Sequence, residues 1–108
     1  MMPRNPMPYV ALIPLDRCRR EGGTFISHAG RELAVFVMGE AREVVVLDNT
    51  CPHAGGNLSG GEVADGIVTC PWHHWAFRLC DGVCVDSAKA RVRRYPAEVR
   101  DGVVWVHL

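Results

Sequence analysis

Cys-Pro-His-Ala-Gly-Gly-Asn-Leu-Ser-Gly-Gly at residues 51–61 and Cys-Pro-Trp-His-His-Trp at residues 70–75 interrupt an otherwise strand-like chain. Each stretch contains a cysteine that is followed closely by a histidine. The turn sequence Asp65-Gly66 between them predicts a short hairpin, and a hairpin brings the loops at its open end together. We therefore expect the two stretches to form one site.

The candidate metal ligands are Cys51, His53, Cys70 and His73. They form the pattern Cys-x-His, sixteen residues, Cys-x2-His. Two cysteines and two histidines bind either a tetrahedral Zn²⁺ ion or a [2Fe–2S] cluster with mixed ligands. The chain has five cysteines, an odd number, and nothing in it suggests secretion, so a disulfide framework is not expected. His74 does not fit the spacing and is not predicted to be a ligand.

The residues on either side of these loops predict strands, because Val and other β-branched side chains fit a pleated sheet better than a helix. Further Asp-Gly turns are predicted at Asp81-Gly82 and Asp101-Gly102, and a short helix at Leu15–Arg20. The pattern predicts an all-β, antiparallel sandwich or barrel. The predicted strands are Tyr9–Ile13, Thr24–Ser27, Arg31–Met38, Glu43–Asp48, Glu62–Ala64, Ile67–Cys70, Ala76–Leu79, Val92–Arg100 and Val103–Leu108.

The composition limits the classes of protein. A chain of 108 residues is long enough for one domain, expected at 9–108 after a flexible lead at 1–8. Twelve basic residues balance twelve acidic ones, which argues against nucleic-acid binding. A hydrophobic content of 48% argues against disorder. No apolar run approaches the ~20 residues of a membrane helix, so we expect a soluble, cytoplasmic protein.

Cys51-Pro52-His53-Ala54-Gly55 and Cys70-Pro71-Trp72-His73 resemble the two cluster-binding boxes of Rieske iron–sulfur proteins. Leu58, Gly60-Gly61, Phe77, Asp81-Gly82 and the closing stretch 101–106 extend the similarity over roughly residues 9–108. The resemblance implies a Rieske-type antiparallel β-sandwich whose cluster-binding lobe, at about 49–80, consists of two loops joined by a hairpin. It also implies one [2Fe–2S] cluster, held by Cys51 and Cys70 on one iron and by His53 and His73 on the other.

The function that the resemblance implies is electron transfer. A Rieske-type ferredoxin would carry single electrons from a flavin-dependent reductase to a terminal oxygenase. The same boxes resemble the small subunit of an NAD(P)H-dependent nitrite reductase, whose partner is the large subunit. A chain of this size has no room for a substrate pocket with a mononuclear iron site, so no catalytic residues are predicted. A zinc-bound structural or interaction module is the alternative of another class.

Departures from the family pattern carry further expectations. Gly56 and Trp72 stand where Rieske proteins of respiratory complexes have a pair of disulfide-bonded cysteines, so no disulfide can join the loops here. The stretch 74–77 also lacks the Ser and Tyr hydroxyl groups that bond toward sulfur in those proteins. Fewer such bonds disfavour the reduced form, which predicts a reduction potential near about −150 mV. Leu58, Trp72 and Trp75 are candidates for shielding the cluster from water.

Residues outside the boxes are assigned structural roles. Cys18, Cys80 and Cys84 are expected to be packed thiols, with a disulfide between the last two as the less favoured alternative. The basic stretch Arg91, Arg93 and Arg94 is interpreted as a solvated strand face, with partner docking as the alternative.

Overall fold

The computed structural model describes residues 8–39, 43–52, 55–72, 74–87 and 89–108. No helix in these ranges is long and apolar enough to cross a membrane. The residues form antiparallel strands and two 3-10 turns, at Leu15–Arg17 and Leu58–Gly60. The strands are β1 Val10–Pro14, β2 Gly23–His28, β3 Arg31–Met38, β4 Glu43–Asp48, β5 Glu62–Ala64, β6 Ile67–Thr69, β7 Ala76–Arg78, β8 Arg94–Tyr95, β9 Ala97–Arg100 and β10 Val103–Val106.

The strands β3 and β4 are buried on both faces. In β3, Leu33 and Val35 pack into one hydrophobic cluster, whereas Ala34 and Phe36 pack into another. In β4, Val44 and Val46 pack into the cluster of Leu33, whereas Val45 and Leu47 pack into that of Phe36. Because successive side chains of a strand point to opposite faces, a strand with two buried faces has a continuous apolar run.

The sheet that contains these strands, in the order β2-β3-β4-β8, is the middle layer of the fold. The sheet β1-β10-β9 covers one face, with Val104 and Val106 in the cluster of Leu33. The small sheet β5-β6-β7 lies over the other face, with Val68 and Phe77 in the cluster of Phe36. The predicted all-β, antiparallel architecture is confirmed.

Two predicted Asp-Gly turns have the expected geometry. Asp65 and Gly66 have φ of 53° and 76°, and they join Ala64 directly to Ile67 as a two-residue hairpin loop. Asp101 and Gly102 do the same between β9 and β10. Positive φ at both central residues is the geometry that matches the twist of a tight hairpin.

The predicted two-residue turn at Asp81-Gly82 is wrong, because the connection there has four residues. Gly82 N–H donates to the carbonyl of Arg78 at 2.7 Å, and Arg78 N–H donates to the carbonyl of Val83. The Asp81 carboxylate accepts hydrogen bonds from the Arg78 guanidinium and from Val83 N–H. These contacts lower the pKa of Asp81, and they stabilise the longer turn.

The single strand predicted over Val92–Arg100 is also wrong. Its residues form β8, which pairs with β4, and β9, which pairs with β10 in a different sheet. The break lies at Pro96, which has no N–H to donate to a ladder and whose ring restricts the preceding residue. The chain therefore crosses between two layers at this point.

Buried Tyr95 makes the stability of the fold depend on pH. Its side chain is buried, and its hydroxyl donates to Asp48 Oδ1 at 2.5 Å. Burial and the bond to Asp48 raise the pKa of Tyr95 above its ordinary value of 10.0. A raised pKa favours the neutral phenol in the folded state, so this stabilisation is complete below pH 10 and disappears as the pH rises through the raised value.

We therefore expect the free energy of unfolding to decrease above about pH 10, where free tyrosine ionises, and Tyr95→Phe to make that decrease smaller. Urea unfolding at several pH values between 8 and 11.5 measures the slope. Tyr9→Phe is the matched control and should keep it. An identical alkaline slope in Tyr95→Phe would contradict the assignment.

Candidate metal centre

The first loop, residues 49–61, is closed around Cys51 by two backbone hydrogen bonds. Cys51 N–H donates to the carbonyl of Gly56 at 2.8 Å, and Gly55 N–H donates to the carbonyl of Cys51 at 2.9 Å. Gly55 has a φ of 79°, in the left-handed region that a glycine adopts without steric cost. The loop therefore turns the chain back on itself within five residues of Cys51.

The second loop, residues 70–75, is closed in the same way. Cys70 N–H donates to the carbonyl of Trp75 at 2.7 Å, and His74 N–H donates to the carbonyl of Cys70 at 3.0 Å. His74 occupies the position of Gly55 and is also left-handed, with a φ of 61°. The two loops thus place Cys51 and Cys70 in equivalent positions. The second loop has His74, with a Cβ atom, at the left-handed position where the first loop has Gly55.

Gly56 is the point where the two loops touch. A Cβ atom added to Gly56 would lie 2.9 Å from Cys70 Sγ and 3.1 Å from Cγ of Trp72. The Cys70 thiol therefore packs directly against the backbone that closes the loop of Cys51. Gly56 and Trp72 are in contact. They are the two positions at which respiratory Rieske proteins are expected to carry disulfide-bonded cysteines.

This contact predicts that Gly56→Ala disrupts the site. The methyl group would have to displace the Cys70 thiol or the Trp72 side chain, and we expect the purified protein to contain less than about half of the wild-type iron. Gly60→Ala is the matched control, because a Cβ atom there would have no neighbour within 4 Å. Equal iron content in the two variants would contradict the predicted contact.

Both thiols are buried beneath the loops. Cys51 is 1% exposed and Cys70 is fully buried, and both belong to the cluster of Leu58, Val68 and Phe77. Of the residues considered as shields, Leu58 is fully buried and Trp75 packs against the cluster. Trp72 differs, because 63% of its side chain is exposed.

Asn49 holds the first loop against the middle sheet, and the sequence analysis did not identify it. Its side-chain Oδ1 accepts a hydrogen bond from Ser59 N–H at 2.9 Å, and its Nδ2 donates to Asn57 Oδ1. Its backbone N–H donates to the carbonyl of Glu32, and its carbonyl accepts from Leu58 N–H. An asparagine just before a loop cysteine was the available signal, since Asn side chains often bond nearby backbone groups.

Two of the four predicted ligands lie in the part of the chain that the structure describes. The structure brings Cys51 and Cys70 together, whereas His53 and His73 lie outside the described residues. In the ranges that are described, no three His, Cys, Asp or Glu side chains form a metal-binding group. The assignment of the two histidines stays a prediction from the spacing.

The cysteines outside the boxes have structural surroundings. All five cysteines are described, and no disulfide joins any of them. Cys18 and Cys84 are buried. The backbone of Cys84 pairs with that of Phe77 in an isolated antiparallel β-bridge beside β7. Burial raises the pKa of the Cys18 thiol. Cys80 is exposed in the four-residue turn, so only part of the expectation of packed thiols is confirmed.

The basic stretch also has intramolecular contacts. Arg94 Nε donates to the carbonyl of Leu79 at 3.1 Å, which connects β8 to the turn of the small sheet. The Arg93 guanidinium lies 5.1 Å from the centre of the Tyr95 ring. These two arginines contribute to the structure, and Arg91 is exposed.

A family model described as Rieske [2Fe-2S] domain matches residues 11–96, which include both loops. The chain belongs to this Rieske family. Cholesterol 7-desaturase of Drosophila melanogaster is 30% identical over 115 residues, and the match covers 97% of this Rieske chain and 27% of the desaturase. The chain thus spans about a quarter of the length of the curated desaturases that it matches.

Two solved structures have the same Rieske fold. A Mycobacterium tuberculosis protein described as an NADH-dependent nitrite reductase small subunit superposes with a TM-score of 0.86 and 26% identity, over 96% of this chain and 97% of its own. The Sphingomonas yanoikuyae B1 ferredoxin superposes with a TM-score of 0.82 and 23% identity, over 94% of this chain and 99% of its own. At that identity the ferredoxin supports the fold alone.

A Rieske [2Fe–2S] domain implies one [2Fe–2S] cluster, and the described residues fit it. Thiolates bind one of the two irons of a Rieske cluster, and two buried thiols stand at equivalent positions of two touching loops. Gly56, which has no side chain, lets the backbone of the first loop lie directly against the Cys70 thiol. The donor set and its surroundings are consistent with the cofactor of the family.

Proposed function

We propose that this Rieske domain, residues 9–108 with a cluster lobe at about 49–80, is a one-electron carrier. The observation that carries the proposal is the pair of equivalent loops, which touch at Gly56 and bury Cys51 and Cys70 beneath them. Cys51 and Cys70 would bind one iron, and His53 and His73 the other. When bound, the cluster supplies a centre that is reduced and oxidised by one electron.

The chain's own residues hold that centre and limit its contact with water. The paired backbone hydrogen bonds of each loop restrict the backbone around the two thiols and so fix their positions. Leu58 and Phe77 lie behind the thiols and keep that side apolar. The low dielectric of such a wall is one of the factors that set the potential of an iron–sulfur centre.

The proposed route runs from a flavin-dependent reductase, through this protein, to a terminal oxygenase. The family and its ferredoxin fold support a carrier, and a carrier needs no substrate site of its own. We place the protein in the cytoplasm, where thiols such as the exposed Cys80 are kept reduced.

Anaerobic purification with an absorption spectrum and an iron count tests the proposal. We expect a red-brown protein with about two iron atoms per chain and an EPR signal after reduction with dithionite. A colourless protein with one zinc ion would favour the zinc-bound structural module and overturn electron transfer.

The second candidate is the small subunit of an NAD(P)H-dependent nitrite reductase. The similarity in fold to the Mycobacterium tuberculosis protein, at 26% identity, favours it specifically. In that case the partner is the large subunit, and the two proteins should co-purify as a stable complex that contains sirohaem. Electron transfer through this protein in a mixture of reductase and oxygenase components would favour the free carrier, provided that the protein supports no nitrite-dependent turnover.

The reduction potential distinguishes this chain from high-potential Rieske proteins. We expect a midpoint potential at the low end of the family range, near about −150 mV, because the stretch 74–77 offers no hydroxyl group to the cluster sulfurs. Spectroelectrochemical titration of the purified protein measures it. A midpoint above zero would be incompatible with this explanation.

A further inference from the structure

Strand β2 has an open edge. It lies at one side of the middle sheet and, among the described residues, pairs with β3 alone. On β3, the carbonyl of Glu32 accepts a hydrogen bond from Asn49 N–H, so the backbone groups of Glu32 point away from β2. Ser27 is opposite Glu32, and the pattern alternates along an antiparallel pair. The N–H and C=O groups of Ser27 and Phe25 therefore point outward from the sheet.

The other sheet edges carry features that hinder pairing with another chain, whereas β2 does not. Such features are bulges, proline, charged side chains and very short strands. β1 contains a bulge and ends at Pro14, and β9 carries Glu98 and Arg100. β5, β7 and β8 have three residues or fewer. β2 has six residues in an unbroken register, and residues 22–30 contain no Asp, Glu, Lys, Arg or Pro.

Apolar side chains accompany these outward backbone groups. Phe25 is 50% exposed on one face of β2, and Ile26 is partly buried against the cluster of Leu33 on the other. Gly23 is buried, and a Cβ atom there would lie 2.9 Å from Cα of Ser59. The accessible part of the strand therefore consists of residues 24–28, which we call the free edge.

We propose that two copies of the chain pair antiparallel through the free edge, with a twofold axis at Ile26. In this register Phe25 of each copy is opposite Ser27 of the other, so their outward N–H and C=O groups form four hydrogen bonds. Ile26 meets its counterpart at the axis, and the two Phe25 rings are diagonal neighbours within reach of each other. Such a symmetric contact closes on itself as a dimer. The inference is independent of the proposed function, because β2 belongs to the middle sheet.

Charge and shape favour a second copy of this chain at the free edge. A charged edge repels its own copy, whereas residues 22–30 carry no fixed charge and the formal net charge of the chain is zero. At each end of the pair, Ala29 and Gly30 come beside Gly22 and Gly23 of the second copy, so only small residues meet there. A standard stable interface buries about 800 Å² on each partner, which is more than a short strand supplies. We therefore expect a weak dimer that forms as the protein concentration rises.

Sedimentation equilibrium of the purified holoprotein, between about 10 μM and about 1 mM, tests the proposal. We expect the apparent mass to rise from that of one chain toward that of two. Ser27→Lys should raise the dissociation constant at least about tenfold, because it places two like charges diagonally across the paired strands. Ala64→Lys is the matched control, since it adds the same charge at an exposed position of β5 and should keep the wild-type constant.

A disulfide trap tests the register, in protein that also carries Cys80→Ser to remove the exposed thiol. Ile26→Cys places two thiols across the axis, at a Cα separation of about 4.5 Å that permits a disulfide. In the control His28→Cys, the two thiols lie four residues apart along the strands. With oxidised glutathione we expect at least about five times more covalent dimer from Ile26→Cys.

Three results would overturn the proposal. The first is the mass of one chain at every concentration, which would leave the free edge to a strand of another protein. The second is an equal dissociation constant in Ser27→Lys and Ala64→Lys, which would place the contact elsewhere on the surface. The third is equal cross-linking in Ile26→Cys and His28→Cys, which would exclude the register.

Discussion

Cys51→Ser and Cys70→Ser should each purify without the [2Fe–2S] absorption, with iron reduced to below about one tenth of the wild-type content. The thiolate is the ligand that iron–sulfur clusters require, and a serine hydroxyl does not replace it. The two loops touch through Gly56, so the loss of either cysteine should leave the cluster with an incomplete ligand set. Iron analysis and visible absorption of anaerobically purified protein measure the effect.

Cys80→Ser is the matched control for both variants. Cys80 is exposed in the four-residue turn that follows β7, and its replacement should leave the iron content unchanged. His53→Ala and His73→Ala should also abolish the normal spectrum, as the spacing predicts. Full iron content in either Cys51→Ser or Cys70→Ser would refute the assignment of the ligands.

Asn49→Ala is expected to lower the stability of the fold strongly, because Asn49 holds the first loop against the middle sheet. The variant removes two side-chain hydrogen bonds and leaves the N–H of buried Ser59 without its acceptor. An unsatisfied buried donor and the lost bonds together cost about 2–3 kcal/mol of unfolding free energy. For a domain of this size, the midpoint of thermal unfolding should fall by about 10 °C or more.

Asn57→Ala separates this effect from a general weakening of the first loop. Asn57 is exposed and contributes one side-chain bond to Asn49, so we expect a loss of only about 1 kcal/mol. Thermal unfolding of the holoprotein, followed by circular dichroism and by visible absorption, compares the two variants. Equal midpoints in Asn49→Ala and Asn57→Ala would show that the buried network around Asn49 does not hold the loop.

Most of the strands could be predicted from the sequence, because their apolar runs and the turn residues between them are local features. β3 and β4 have the predicted bounds, because each contains a short, continuous apolar run between turn residues. The turns at Asp65-Gly66 and Asp101-Gly102 were predictable because positive φ at two adjacent positions selects such residues. The turn at Asp81-Gly82 was not, since the same dipeptide also fits a longer loop when Asp81 bonds Arg78 and Val83.

The sequence by itself determined the family and the four candidate ligands, because ligand chemistry requires particular residue types at particular spacings. Only the tertiary structure showed that the two loops are closed by the same hydrogen bonds, that Gly56 is the contact between them, and that Asn49 fastens the first loop. These are contacts between residues distant in the chain or between backbone atoms, which every residue type shares. For the same reason, the left-handed backbone of His74 and the exposed ring of Trp72 became visible only when the loops were folded.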